Sequence, residues 1–217
     1  MRGLVFALSS FVAMGCGSDT PAPATNVAPP APSAAKSVQA CSYTLQEATP
    51  GWTAYKTTEK APVSGGFTTT TLSPTVAAPS LAGALDGVTM TIDPASVSSG
   101  NEGRDLTLRD KYFGLFTPTT EFTAGVVSVK GDDTKGTIDL NIGMNGVSKT
   151  VPFTYDLAAD GTLSAKASIE MMDFGLQAAF DSIHEACKLL HTGADGVSKT
   201  WTDVALTVTA KIAKNCS

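Results

Sequence analysis

The chain has 217 residues, of which 42% are apolar and 16% charged, with a formal net charge of −5. By length it forms one domain or two, and a sheet-rich domain of this size buries enough of its own surface to fold without a staple. The balance excludes a nucleic-acid surface: the only arginines, Arg2, Arg104 and Arg109, are scattered, and no stretch clusters Lys with Arg.

Met1-Arg2 gives a positive start, and Gly3 to Gly15 is an apolar run carrying Leu4, Val5, Phe6, Leu8, Phe11 and Val12. That run is too short to span a bilayer but fits the hydrophobic region of a signal peptide. It ends Ala13-Met14-Gly15-Cys16, and small residues before a cysteine resemble the cleavage box of bacterial lipoproteins. Residues 1–16 are therefore expected to be a targeting segment, with Cys16 lipidated. An ordinary signal peptide, in which Cys16 has no special role, is the competing reading. Gly17, not Asp, follows the cysteine. By resemblance to Gram-negative lipoproteins this points to the periplasm with an outer-membrane anchor, or to the cell surface. Residues 17–40 hold Pro21, Pro23, Pro29, Pro30 and Pro32 among small polar residues and read as an extended tether.

From Cys41 onward the apolar period is two. Val88, Met90 and Ile92 begin the pattern. Longer cases are Ile138 to Met144, Val151 to Leu157, Leu163 to Met171 and Val204 to Ile212, each alternating with Thr, Ser, Lys, Asp or other small or polar residues. Such alternation means strands with one buried and one wet face. Two segments break it and read as helices: 101–116, with Leu106, Leu108, Tyr112, Phe113, Leu115 and Phe116, and 177–191, stopped by Gly193. A shorter helix fits 80–85. Residues 130–134, Asn145-Gly146 and Asp160-Gly161 read as hairpin turns, and Asp195-Gly196 precedes the last strand. Gly-Val-Ser-Lys-Thr occurs at 146–150 and again at 196–200, which reads as one strand-opening device used twice. The expected fold of residues 41–217 is all-β: an eight-stranded antiparallel up-and-down barrel with two or three short helices.

The stretch from Asp93 through Ser96, Arg104-Asp105 and Arg109 to Tyr112-Phe113 resembles the signature of the YceI-like family of envelope lipid-binding proteins. Gly65-Gly66-Phe67, the hairpin from Gly136 to Phe153, and Asp173-Phe174-Gly175-Leu176 resemble further pieces of that family in the same order. The resemblance covers about residues 43–213. It implies a lipocalin-like barrel that holds an apolar chain: an isoprenoid, a quinone or an acyl lipid. Where the family often has Arg two residues before the aspartate, this chain has Met171, which implies a greasier pocket at that end.

On that reading the interior is made by Phe122, Val126, Ile138, Leu140, Val151, Phe153, Ile169, Met171, Leu206 and Val208, with Phe113, Phe116 and Phe174 near one mouth. The expected ligand contacts are Phe113, Phe116, Phe122, Leu140, Phe153, Ile169, Met171 and Phe174. A structural or stress-protective barrel filled by its own side chains is the competing reading. A homodimer is compatible with either. No cofactor beyond the lipid is expected, and no enzyme: the chain has no phosphate loop and no nucleophile elbow.

Three further features carry chemistry. His184, Cys187 and His191 share a helix face at spacings of three and four and offer zinc or copper ligands, the basis of a metal- or redox-linked alternative, though they span too much helix for one ion unaided. Cys41 and Cys216 open the first strand and close the last, adjacent ends in a closed barrel, so a disulfide there is expected in an oxidising compartment. Pairing of Cys187 with either one stays open. Arg104-Asp105 and Asp173 read as structural, capping or turn residues.

Overall fold

A computed structural model describes residues 40–117 and 121–217 of the chain. The expected targeting segment, Cys16 and all of the tether but Ala40 lie outside the described residues. The rest is a ten-stranded antiparallel sheet. Its strands are β1 (Cys41–Lys56), β2 (Ala61–Phe67), β3 (Thr70–Leu72), β4 (Thr89–Ile92), β5 (Val97–Ser98), β6 (Phe122–Gly131), β7 (Lys135–Met144), β8 (Val147–Leu157), β9 (Thr162–Glu170) and β10 (Asp203–Cys216). Three short helices join them: α1 (Leu81–Leu85), α2 (Glu102–Lys111) and α3 (Gln177–Ala186).

The order is β3-β4-β6-β7-β8-β9-β10-β1-β2-β5. Eight walls were expected and ten strands are found, for a simple reason. β2 pairs with β1, and β3 pairs with β4, yet β2 and β3 are consecutive, separated only by Thr68 and Thr69. They are the two halves of one wall that changes partner. β5 adds two residues to the edge of β2. The barrel thus has eight walls, and the chain itself closes the ring.

Side-chain alternation does what period two requires. Ile138, Ile142, Phe153, Tyr155, Leu163, Ala165, Ala210 and Ile212 are buried, while neighbours such as Asn141, Thr154 and Lys166 are exposed. The β7–β8 hairpin has two connecting residues, Asn145 (φ 51°) and Gly146 (φ 72°), both at the positive φ that a tight right-twisting turn needs. Only this first copy of Gly-Val-Ser-Lys-Thr opens a strand. The second, 196–200, lies in a loop held by the single bridges Thr192↔Ser198 and Lys56↔Thr200, and β10 begins only at Asp203.

One end of the barrel is shut. α1 is capped by Ser80, whose hydroxyl accepts from Gly83 N, and by Asp133, which accepts from Leu81 N. It buries Leu81, Ala84 and Leu85. At this same end Cys41 and Cys216 face each other in register and form the disulfide, leaving Cys187 as the free thiol. The pairing left open by the sequence is settled by register: β1 and β10 are neighbours, and Cys187 lies far away at the other end.

That other end carries α2 and α3. The 101–116 helix is shorter than its apolar spacing suggests. Asn101 caps it by accepting from Arg104 N, and it stops at Lys111, because Tyr112 leaves helical geometry and a 3-10 turn follows over Phe113–Leu115. Likewise α3 ends at Ala186, and Lys188–His191 is a separate 3-10 turn. Carbonyls there turn to outside donors: Ser198 Oγ donates to Lys188 O, and Lys199 N to His191 O.

Candidate functional site

The barrel encloses a cavity of about 700 Å³ that runs from α1 at the shut end to a mouth between α2, the turn after α3, and the β1–β2 hairpin. A well-packed interior has few voids larger than a water molecule, so this space is an architectural feature. Its size falls within the roughly 300–1,000 Å³ of sites that enclose a small organic ligand. The lining is mostly apolar, with Asn101, His191 and several threonines interspersed. Among the described residues that form it there is no Asp or Glu, and its Lys and Arg side chains are Lys56 and Arg104, both at the mouth.

Phe113, Phe116, Phe122, Leu140, Phe153, Ile169 and Met171 all line the cavity, and so do Val126, Ile138, Leu206 and Val208. Phe174 does not. It is only 1% exposed and packs in the core near Val151, which also does not line the cavity. Phe174 lies beyond the alternating run Leu163 to Met171, at the end of a 3-10 turn over Met171–Phe174 that carries it away from the mouth where it was expected. Its backbone carbonyl accepts from Asn145 Nδ2 at 3.0 Å, tying the turn to the β7–β8 hairpin.

An aromatic cluster stands between the cavity and α2. Phe67, Tyr112, Phe113, Phe116 and Phe122 contact one another in tilted or edge-on pairs, with centroids 5.0 to 5.8 Å apart. Tyr112 turns its hydroxyl to Met171 Sδ, at 2.8 Å. A thioether is a weak acceptor, and burial pushes the Tyr112 phenol well above its ordinary pKa. On the β1–β2 pair, the indole of Trp52 lies over Gly65. A Cβ on Gly65 would fall 2.5 Å from the Trp52 ring, so the first Gly of Gly65-Gly66-Phe67 is a seat for that indole. Trp52 Nε1 is buried and has no hydrogen-bond partner.

Arg104 and Asp105 are held by a shared third residue. Asp105 accepts from Ser99 N at 2.9 Å and from Ser99 Oγ, while Arg104 donates to Ser99 Oγ and Ser99 O. This locks the loop before α2 and sets one lip of the mouth. Asp173 pairs with Lys149 at 3.5 Å on the outer surface.

His184 and His191 converge on one hydroxyl: their Nδ1 atoms lie 2.9 Å and 2.6 Å from Thr200 Oγ1. Among the described residues no group of three His, Cys, Asp or Glu side chains is placed to hold a metal ion. The two imidazoles do fall together, one on α3 and one on the 3-10 turn after it, and Thr200, in the loop nine residues beyond His191, stands between them. Burial, then the charge of Lys56 and the neighbouring His184, hold the His191 pKa below its ordinary value, and burial raises that of the Cys187 thiol. Beside them the mouth is greasy outside as well as in. Leu189 is 90% exposed, Leu190 71% and Val197 50%. Leu190, Cys187 and His191 also line the cavity, and Lys56 Nζ donates to Leu190 O.

Sequence reasoning missed Trp52, Phe67, Tyr112 and the lip formed by Leu189, Leu190 and Val197. The findable signals were the paired glycines at 65–66, which imply a bulky neighbour, and two adjacent leucines at a helix end.

A family model described as a YceI-like domain matches residues 42–211. Among solved structures, the chain is similar to a polyisoprenoid binding domain from Saccharophagus degradans, at 14% identity and a TM-score of 0.55, over 82% of this chain and 99% of that one. It is also similar to Burkholderia cenocepacia BcnA, at 14% identity and a TM-score of 0.49, over 76% of this chain and 96% of that one. A Campylobacter jejuni YceI protein matches at 20% identity and a TM-score of 0.49, over 71% of this chain and 85% of that one. No curated protein matches the chain.

Proposed function

Because the chain belongs to the YceI-like domain family, we propose that it is a carrier that holds one apolar lipid, of the polyisoprenoid, quinone or acyl class, inside its barrel in the bacterial cell envelope. The observation that carries this reading is the largely apolar cavity of about 700 Å³. Left unfilled, such a space forfeits contacts at about 24 cal/mol per Å³, a sum on the order of 15 kcal/mol and comparable to the whole stability of a domain. A hydrocarbon chain restores those contacts and gains about 0.8 kcal/mol per methylene taken from water. The Saccharophagus degradans neighbour is described as binding polyisoprenoid, and the same cargo class suits this cavity.

Cargo exchange takes place at the mouth, against a bilayer. There Leu189, Leu190 and Val197 present exposed apolar surface continuous with the cavity. The tether enters at Cys41, on the opposite, shut end. The chain from Cys16 to Cys41, at no more than about 3.3 Å per residue, reaches roughly 80 Å. The 14 residues of β10, with a rise of about 3.3 Å and a tilt of about 40°, make a barrel roughly 35 Å long. A lipidated Cys16 therefore leaves the domain free to turn its mouth back onto the membrane that anchors it.

The test is a titration of the full chain with a dansyl-labelled polyprenol. Trp52 and Trp201 both line the cavity and act as energy donors. The proposal expects saturable transfer at one probe per chain. Transfer that never saturates, or none at all, refutes it.

A further inference from the structure

The ladder between β8 and β9 covers less than half of either strand. It runs from Leu157↔Leu163 to Thr154↔Lys166 and stops. Among the described residues, 147–153 of β8 and 167–170 of β9 have no partner across this seam. Their other edges pair throughout the same stretch, β8 with β7 and β9 with β10. Pro152 accounts for the break. Met144 and Val147 flank the two-residue turn and bond to each other, so Ser148, Thr150 and Pro152 turn their backbone groups towards β9. Proline has no N–H to give that ladder.

Side chains close the seam instead. A pocket of about 200 Å³ lies in it, lined by Lys149, Thr150 and Pro152 of β8 and by Ser168 and Glu170 of β9. Val151, Ile169 and Phe174 also line it and are buried. Ile169 lines the main cavity as well, so the two spaces share one side chain. Two contacts bridge the seam: Lys149 pairs with Asp173 at 3.5 Å, and Asn145 Nδ2 donates to Phe174 O at 3.0 Å. Both partners of the ion pair are exposed, and such a pair holds weakly. The open half of the seam runs towards the end that carries α2 and α3, where Thr117 N donates to Asn145 Oδ1.

We propose that this seam is a lateral gate: the unladdered halves of β8 and β9 part and extend the mouth as a slit down the wall, through which the apolar chain slides in and out along its length. This rests on the carrier reading and adds the route. A slit spares a long chain from threading end first between α2 and α3.

The test uses the full chain and stopped-flow mixing with the dansyl polyprenol, reading its entry and its release into excess unlabelled polyprenol. Lys149→Cys and Asp173→Cys, in a Cys187→Ser background, are joined by bismaleimidoethane, and the link is confirmed by peptide mass. Closing a gate slows entry and release together, each by at least about tenfold, and leaves the dissociation constant within about twofold. The same variant carrying two monomaleimides keeps the natural rates. Lys149→Ala, which opens one latch, speeds both rates by about twofold to fivefold. Without any variant, the amides of Thr150 and Ser168 exchange with deuterium at least about tenfold faster than those of Thr154 and Lys166. Unchanged rates after linking overturn the gate and leave the carrier standing. So does a link that alters affinity without slowing both rates, or equal protection of the two amide pairs. A probe that fails to bind the natural chain overturns the carrier reading itself.

Discussion

Ala124 gives the sharpest test of whether the barrel is hollow. It lies on β6 between Met90 of β4 and Ile142 of β7, and its methyl group faces the cavity. The Ala124→Leu substitution adds three carbons on that face. In a space of about 700 Å³ they meet no resistance and leave water, which contributes about 2 kcal/mol at 0.8 kcal/mol per carbon. Ordering the leucine rotamer returns about 0.5–1 kcal/mol, leaving a net stabilisation of about 1.5 kcal/mol. In a filled core the same substitution forces neighbours off their rotamers and costs about 1–3 kcal/mol. The two architectures therefore differ in sign. Urea unfolding followed by tryptophan fluorescence reads it directly: with a slope of about 2 kcal/mol/M, the midpoint rises by about 0.7 M with the slope unchanged. Affinity for the dansyl polyprenol falls in the same variant, because the added carbons occupy cargo space. A midpoint that drops refutes the hollow-barrel argument, whatever binding is seen.

Three other outcomes follow from particular contacts. The Cys41–Cys216 bond closes a loop spanning a sequence separation of 175, so replacing both cysteines with alanine is expected to cost up to about 5 kcal/mol in chemical unfolding, an effect below 1 kcal/mol contradicting the account. His191 has its pKa held below the ordinary 6.5. The unfolded chain takes up its proton first, so stability is lost as pH falls from about 6.5 towards the lower folded-state value. The His191→Gln variant should lose less stability than the natural chain over that interval, and identical pH profiles would count against the reading. Finally, Leu189→Asn, at a residue 90% exposed and outside the cavity lining, should reduce quenching of tryptophan fluorescence by brominated acyl chains in phosphatidylethanolamine–phosphatidylglycerol vesicles. The far-end control Val76→Asn should not, and equal quenching in both variants removes the mouth as the docking face.

The long strands were legible because a barrel wall has one wet face and one apolar face, and β7 to β10 write that difference in Ile, Leu, Val and Phe. Where the inward residues are small the signal fades. On β1 the cavity is bounded by Ala48, Pro50 and Ala54, weakly apolar residues that leave space by being short, and Trp52 among them drew no notice. Parity is silent once a strand gives way to a turn, as it does before Phe174. The broken wall at Thr68 and Thr69 could not be read either, since a change of partner depends on β1 and β4 rather than on local sequence. At the mouth, His184 and His191 do come together, although α3 ends at Ala186 and His191 belongs to the separate 3-10 turn that follows. That they meet at Thr200 follows from a loop returning across them, a contact no local pattern encodes.

The most direct test of the central claim is native mass spectrometry of the full chain isolated from bacterial envelopes without detergent, with organic extraction of the same sample. The account predicts a bound species of defined mass at one per chain, extractable into solvent. A chain that flies empty, and yields no lipid above the background of a control envelope protein, contradicts it.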